Sequence, residues 1–206
     1  MAEIKNIIFD FGNVLIPIEE ERTHKALREL GAKDEIVFET ALYHQFEAGE
    51  VSSEEFLKGL QEFFFRKIFL NDIKDAWNAL LLPFPEDHIR LLKRLKKKYR
   101  LFLFSNTNEL HINHIKNEMG MFNYKQFCNC FEAFYYSQEL SMRKPEAEGF
   151  EYILNTHELE ADETLFIDDR KENTDAASEL GIQVWNLNPE NESIYDLDKV
   201  LSELHS

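Results

Sequence analysis

Polar, chemically active side chains end three apolar runs of this 206-residue chain. Ile7-Ile8-Phe9 leads into Asp10 and breaks at Gly12, Leu101-Phe102-Leu103-Phe104 ends in Ser105, and Leu165-Phe166-Ile167 ends in the pair Asp168-Asp169. Between the second and third lies Arg143-Lys144-Pro145. A carboxylate at the carboxyl end of a buried parallel strand sits where open α/β sheets place their ligands, which makes Asp10 the candidate nucleophile. Attack on phosphorus or carbon needs a cation to offset charge, donors to hold the electrophile and a proton source. Asp10, Asp168 and Asp169 offer the hard oxygen ligands that suit Mg²⁺, and the metal would offset repulsion between Asp10 and a phosphate dianion. Ser105, followed by Asn106 at a predicted helix start, supplies hydroxyl and N–H donors for phosphate oxygens; its bland alternative is a helix N-cap, which is also open to Asp168 and Asp169. Lys144 adds a compact positive charge, aimed by Pro145 at the first position of the next helix. Arg143 is either a phosphate contact or half of a surface ion pair.

These groups converge only if the runs are strands of one sheet. Short apolar segments at 4–9, 101–104, 134–136, 164–167 and 182–186 read as buried parallel strands. Helical patterns near 86–98, 108–117, 146–156 and 171–180 alternate with them, which predicts a doubly wound, Rossmann-like α/β core of three layers. Gly181 is placed to end the last of those helices in a left-handed conformation. Residues 17–85 break the alternation with helical patterns and no strand. Ser52 and Glu55 have capping-box spacing before Phe56, Leu57 and Leu60, and Phe63, Phe64, Phe65, Phe69 and Trp77 supply an apolar bundle core. The expected division is a catalytic core of 1–16 and 86–206, with an all-helical insertion over 17–85 placed to cover the strand ends.

A formal charge of −16 argues against nucleic acid and anionic membranes as partners. The basic run from Lys93 to Arg100 reads as a solvated helix face with cations near the helix C-terminus. Cys128 and Cys130, one residue apart, read as reduced thiols. No secretory pattern opens the sequence, and no apolar stretch reaches the ~20 residues needed to span a bilayer. A cytoplasmic protein, monomeric by default, is the expectation.

The motif order resembles the haloacid dehalogenase superfamily, most of whose members are phosphatases, over the chain from the first strand to Gly181. The resemblance implies a nucleophile at Asp10, a strand-terminal hydroxyl at Ser105, the family lysine at Lys144 and a metal-binding acid pair at Asp168 and Asp169. Asn173 stands where related branches carry an asparagine that holds a ligand carboxylate or a loop carbonyl. The insertion then resembles the family's helical cap of the first (C1) type. Gly12-Asn13-Val14, Ser105 to Asn108 and Ser137 to Pro145 resemble the branch with bacterial α-D-glucose-1-phosphate phosphatases and epoxide-hydrolase N-terminal domains.

The chain departs from the family pattern at Gly12, where phosphatases usually carry a second aspartate that protonates the leaving group. The Gly12 carbonyl remains available to a metal, whereas loss of a placed general acid typically costs ~10²–10⁴ in rate. His44 and Glu47 in the insertion are candidate substitutes or substrate contacts, His44 having the blander role of a polar helix residue. Three functions follow: Mg²⁺-dependent hydrolysis of a small phosphomonoester, a sugar phosphate by preference, through an aspartyl-phosphate; dehalogenation of a 2-haloacid, for which the acid pair is superfluous; or a metal- and phosphate-binding regulatory protein with weak turnover.

Overall fold

The computed structural model describes residues 2–33 and 40–204, so residues 34–39 of the expected insertion lie outside the described residues. The chain runs β1 (Asn6–Phe9), four helices α1 (Glu20–Leu30), α2 (Ala41–Glu47), α3 (Ser53–Gln61) and α4 (Leu70–Asn78), and then α5 (Glu86–Leu95). It continues through β2 (Arg100–Ser105), α6 (Glu109–Cys128), β3 (Ala133–Tyr136), the single turn α7 (Ser137–Leu140) and α8 (Ala147–His157). Strand β4 (Thr164–Asp168), α9 (Lys171–Glu179), β5 (Gln183–Asn186) and α10 (Leu197–Leu204) complete it.

The five strands form one parallel sheet in the order β3-β2-β1-β4-β5. Side chains alternate across a strand, and both faces here are apolar, as a sheet covered on both sides requires. Ile7, Phe9, Leu101, Leu103, Leu165 and Ile167 pack on one face with Leu92 of α5, Ile115 of α6 and Leu201 of α10. Ile8, Phe102, Phe104 and Phe166 pack on the other with Phe150 and Ile153 of α8 and Ala177 of α9. This is the three-layer α/β fold expected from the strand and helix alternation. Because β2 and β4 flank β1 on opposite sides, strand order reverses at β1. The crevice that forms at such a reversal lies over the carboxyl ends of β1, β2 and β4, where Asp10, Ser105 and Asp168 stand.

Helices α1 to α4 have an apolar core of their own, in which Phe46, Phe56, Leu60, Ile73 and Trp77 meet Leu110 of α6. The Ser52–Glu55 capping box is formed at the start of α3, and Phe56, Leu57 and Leu60 make its buried face. The phenylalanine run divides, however. Phe64 is buried, whereas Phe65 and Phe69 are each 82% exposed, so the expectation that all of them fill the bundle core is corrected. Helix α6 extends beyond the expected 108–117 but is broken at Gly120, whose φ of 70° and ψ of 153° are not helical. Gly181, at φ 84°, follows α9, and its N–H donates to the Ser178 carbonyl. Among the described residues no helix is long and apolar enough to cross a membrane.

His111 joins the two parts. It lies in the first turn of α6, stacks on Trp77 of α4 with centroids 5.1 Å apart and planes 10° apart, and has its Nδ1 3.1 Å from Nδ2 of Asn108. The amide donates there, so the ring nitrogen accepts and the imidazole is neutral. Burial pushes its pKa down to about 3 from 6.5. The unfolded chain therefore binds a proton that the folded one refuses, and stability is lost as pH falls from 6.5 towards 3. Between pH 6.5 and 5 the wild type should lose about 2 kcal/mol more stability than His111→Phe. Urea unfolding at the two pH values reads this directly, and equal losses would show that the ring is protonated without cost.

Candidate active site

Asp10 continues the β1 ladder one residue past the strand, its N–H donating to the Ile167 carbonyl at 2.8 Å. Asp10 is 8% exposed, Lys144 3% and Asp168 0%. Lys144 Nζ lies 2.7 Å from Asp10 Oδ1 and 2.6 Å from Asp168 Oδ2, and thus bridges two strand ends. The ammonium also lies over the rings of Phe104 and Phe166, with Nζ 5.6 and 5.3 Å from their centroids. Asn173 Nδ2 donates to both oxygens of Asp168 at 3.0 Å, and the Arg170 N–H donates to Asp168 Oδ1 at 2.8 Å. Asp169 accepts from Asn13 Nδ2 at 2.9 Å, while Asn13 Oδ1 accepts from the Ile18 N–H. Asn13 does this at φ 54°, a left-handed conformation that asparagine tolerates.

Burial raises the Asp10 carboxyl to about 7; Lys144 opposes the rise and Asp168 adds to it. Asp169 is raised by burial against the pull of Asn13. Burial alone would lower Lys144, but Asp10 and Asp168 outweigh it and hold the ammonium above its ordinary value. Ligand oxygens of Asp10, Asp168 and Asp169 all lie within 4.8 Å of one another. Three carboxylates against one bridging ammonium leave two negative charges, and hard oxygen donors with that charge fit a divalent cation such as Mg²⁺.

Other candidate residues sit where their local partners put them. Ser105 is buried at the end of β2 and faces the same cleft as Asp10 and Lys144. It is not the cap of α6, because Asn108 takes that place by accepting from the His111 N–H. The Asn106 side chain is committed to the backbone of Lys144, donating to its carbonyl at 2.8 Å and accepting from its N–H at 2.9 Å. Asn106 thus positions the lysine turn, and its amide is not turned to a phosphate. Pro145 precedes α8 by two residues and is not its first. Arg143 is likewise corrected as a phosphate contact: its Nη2 pairs with Glu47 Oε2 at 2.6 Å. The Gly12 carbonyl accepts from the Val14 N–H at 2.7 Å, which leaves its second lone pair. A Cβ on Gly12 would lie 3.2 Å from Ile18 Cδ1, the movable end of that side chain, so a larger residue here needs Ile18 to shift by a few tenths of an ångström.

Residues 4–181 match the haloacid dehalogenase-like hydrolase family. The chain belongs to that family. It is 28% identical over 193 residues to D-ribitol-5-phosphate phosphatase of Bacteroides thetaiotaomicron, which covers 91% of this chain and 93% of that protein. It also resembles the magnesium complex of a HAD family enzyme from the same organism, with 32% identity, a TM-score of 0.88 and coverage of 96% and 100% of the two chains. A second structure of that enzyme, with magnesium and inorganic phosphate, gives 31%, 0.82, 92% and 96%.

In this hydrolase, helix α2 contributes to the cleft differently from expectation. His44 is exposed on the outer side of α2 and does not line the cleft, whereas Tyr43 and Glu47, one turn apart, both do. Besides Ile18 and Glu20 on its wall, Tyr43, Asn13 and Arg170 are cleft residues that the sequence reading did not select. Each carried a signal: Asn13 lies in a Gly-Asn turn, Arg170 follows the acid pair, and Tyr43 precedes Glu47 by the four residues that align side chains on a helix.

Proposed function

We propose that this hydrolase is a Mg²⁺-dependent phosphatase of a small sugar or polyol phosphate, acting through an aspartyl-phosphate on Asp10. The supporting observation is the Asp10–Lys144–Asp168 bridge beside Asp169, buried at the sheet's reversal point under a cleft that also holds Ser105. Lys144 occupies Oδ1 of Asp10, which leaves Oδ2 to attack phosphorus in line and displace the alkoxide, which takes its proton from solvent water in the absence of an acid at position 12. Lys144 has a third N–H, and Ser105 a hydroxyl, for the phosphoryl oxygens. Water then attacks the acyl phosphate and returns Asp10 and free phosphate, with the rate coming from positioning and electrostatics. Asp10, Asp168, Asp169 and the Gly12 carbonyl would hold the Mg²⁺, which offsets repulsion between Asp10 and the dianion. Asn173 keeps Asp168 oriented. Residues 17–85 act as the cap over a core of 1–16 and 86–206, and the partner is a phosphorylated metabolite. The kinship with a ribitol-phosphate phosphatase favours sugar and polyol phosphates.

Gly12 in place of an acid favours one second reading, a phosphate-binding protein that turns over slowly. Steady-state phosphate release from D-ribitol 5-phosphate and a panel of sugar phosphates, with Mg²⁺ or with EDTA, separates the two. Multiple turnovers that vanish in EDTA are expected. A phosphoenzyme that persists for hours would favour the slow reading, and halide release from 2-haloacids without phosphate release would overturn both.

A further inference from the structure

Glu47 is the last residue of α2, yet it is only 4% exposed and faces the cleft that holds Asp10 and Ser105. A buried carboxylate is costly unless it is paired and hydrogen-bonded, and this one is held twice. Its Oε1 accepts from the Tyr43 hydroxyl at 2.5 Å and its Oε2 from Arg143 Nη2 at 2.6 Å. Burial first, and then the adjacent Glu47, keep the Tyr43 hydroxyl well above its ordinary pKa, so it remains a donor. The backbone beyond Glu47 is pinned as well. Gly49, at φ 74°, lies so close to α7 that a Cβ would sit 2.2 Å from the Gln138 carbonyl oxygen. The carboxylate is therefore a fixed feature of the cleft wall.

An ionised carboxylate has about four acceptor positions, and Tyr43 and Arg143 use two. What remains can take hydroxyl donors and repels anions. Arg143 offsets part of this charge from behind the cleft wall, which it does not line, so the group that a substrate meets there is the carboxylate. Arg170, the cation on the rim, has Glu172 at 3.7 Å and lies in the field of Glu20. Resting on the phosphatase reading, we propose that Glu47 is a specificity-determining residue: it accepts hydroxyls of a neutral polyol or sugar leaving group and excludes phosphate esters whose leaving group carries an acid.

The test compares kcat/KM for glycerol 3-phosphate and 3-phosphoglycerate, which differ in a hydroxymethyl against a carboxylate, with p-nitrophenyl phosphate as the ester lacking both. The wild type should prefer glycerol 3-phosphate. Glu47→Gln, which keeps the shape and removes the charge, should narrow that preference about ten-fold or more, chiefly through KM. Tyr43→Phe, which frees Oε1 to turn, should move the ratio the same way by less. A ratio unchanged in both variants, whether or not all three rates fall together, would mean that Glu47 only latches α2 to the Arg143 loop and would overturn the proposal. Wild-type protein that releases phosphate from none of the three, nor from D-ribitol 5-phosphate, would instead overturn the phosphatase reading beneath it.

Discussion

Asp10→Asn should lower phosphate release by roughly 10⁴-fold or more and at the same time raise the melting temperature measured in EDTA. The two effects have one cause. Asp10 is buried beside Asp168 and Asp169, and burial, outweighing Lys144, lifts its carboxyl from 3.8 to about 7. For a carboxyl raised in this way, the stability present below pH 3.8 is lost as pH rises through about 7, because the unfolded chain gives up its proton first. An asparagine carries no charge to desolvate, and Lys144 keeps its partner Asp168 at 2.6 Å. At pH 7.5 without metal, the variant should be more stable on the order of 2 kcal/mol, a few degrees in melting temperature. The gap should shrink as pH is lowered to 5. Phosphate-release assays and thermal unfolding of the same preparations measure both. A variant that melts below the wild type in EDTA would show that the Lys144–Asp10 attraction exceeds the cost of burying Asp10, and the account of the site's electrostatics would have to be reversed.

The strand ends were legible because a buried parallel strand is a continuous apolar run and its end is marked by the first polar residue. Ile7 to Asp10 and Leu165 to Asp168 show this plainly, and with Ser105 they mark three groups of the site in the sequence itself. Asn173 was legible for a similar reason, since its spacing from Asp168 across a turn and into α9 is short. What was not legible depended on contacts between distant segments. Arg143 and Glu47 are 96 residues apart, and nothing local says that the guanidinium turns to α2 in preference to a phosphate. His44 and Tyr43 are adjacent on a seven-residue helix, too short for its apolar pattern to fix which face turns inward; burial of Phe46 against the stacked ring of Phe56 settles it. Phe64 and Phe65 are likewise indistinguishable in composition, and only the chain's exit from α3 buries one and exposes the other. Helical periodicity is legible where it is strong, and Gly120, with non-helical φ and ψ, interrupts it inside α6.

Lys144→Met should act in the opposite sense to Asp10→Asn on stability and in the same sense on activity. Methionine is close to lysine in length and can set its methyl over the rings of Phe104 and Phe166, where Nζ lies in the wild type, so the packing loss is small and the change acts mainly through the charge. Asp10 and Asp168 then face each other and Asp169 with no ammonium between them. Removing one partner of a buried ion pair costs about 3–5 kcal/mol because the other charge is left uncompensated, which for a chain of this length lowers the melting temperature by roughly 10 °C. Phosphate release should fall at least ~10²-fold, since a donor aimed at the phosphoryl oxygens is lost with the charge that orients Asp10. Mg²⁺ should raise the melting temperature of the variant more than that of the wild type, because the site now carries a further uncompensated charge for the cation to offset and ligand binding stabilises by mass action. Adding Asp10→Asn to Lys144→Met should recover part of the lost stability, and the double-mutant cycle measures the coupling between the two side chains. If Lys144→Met melted with the wild type in EDTA and the cycle closed to zero, the bridge would carry no energy at neutral pH. The acids would then have to share a proton, and Lys144 would be left with the phosphate as its only task.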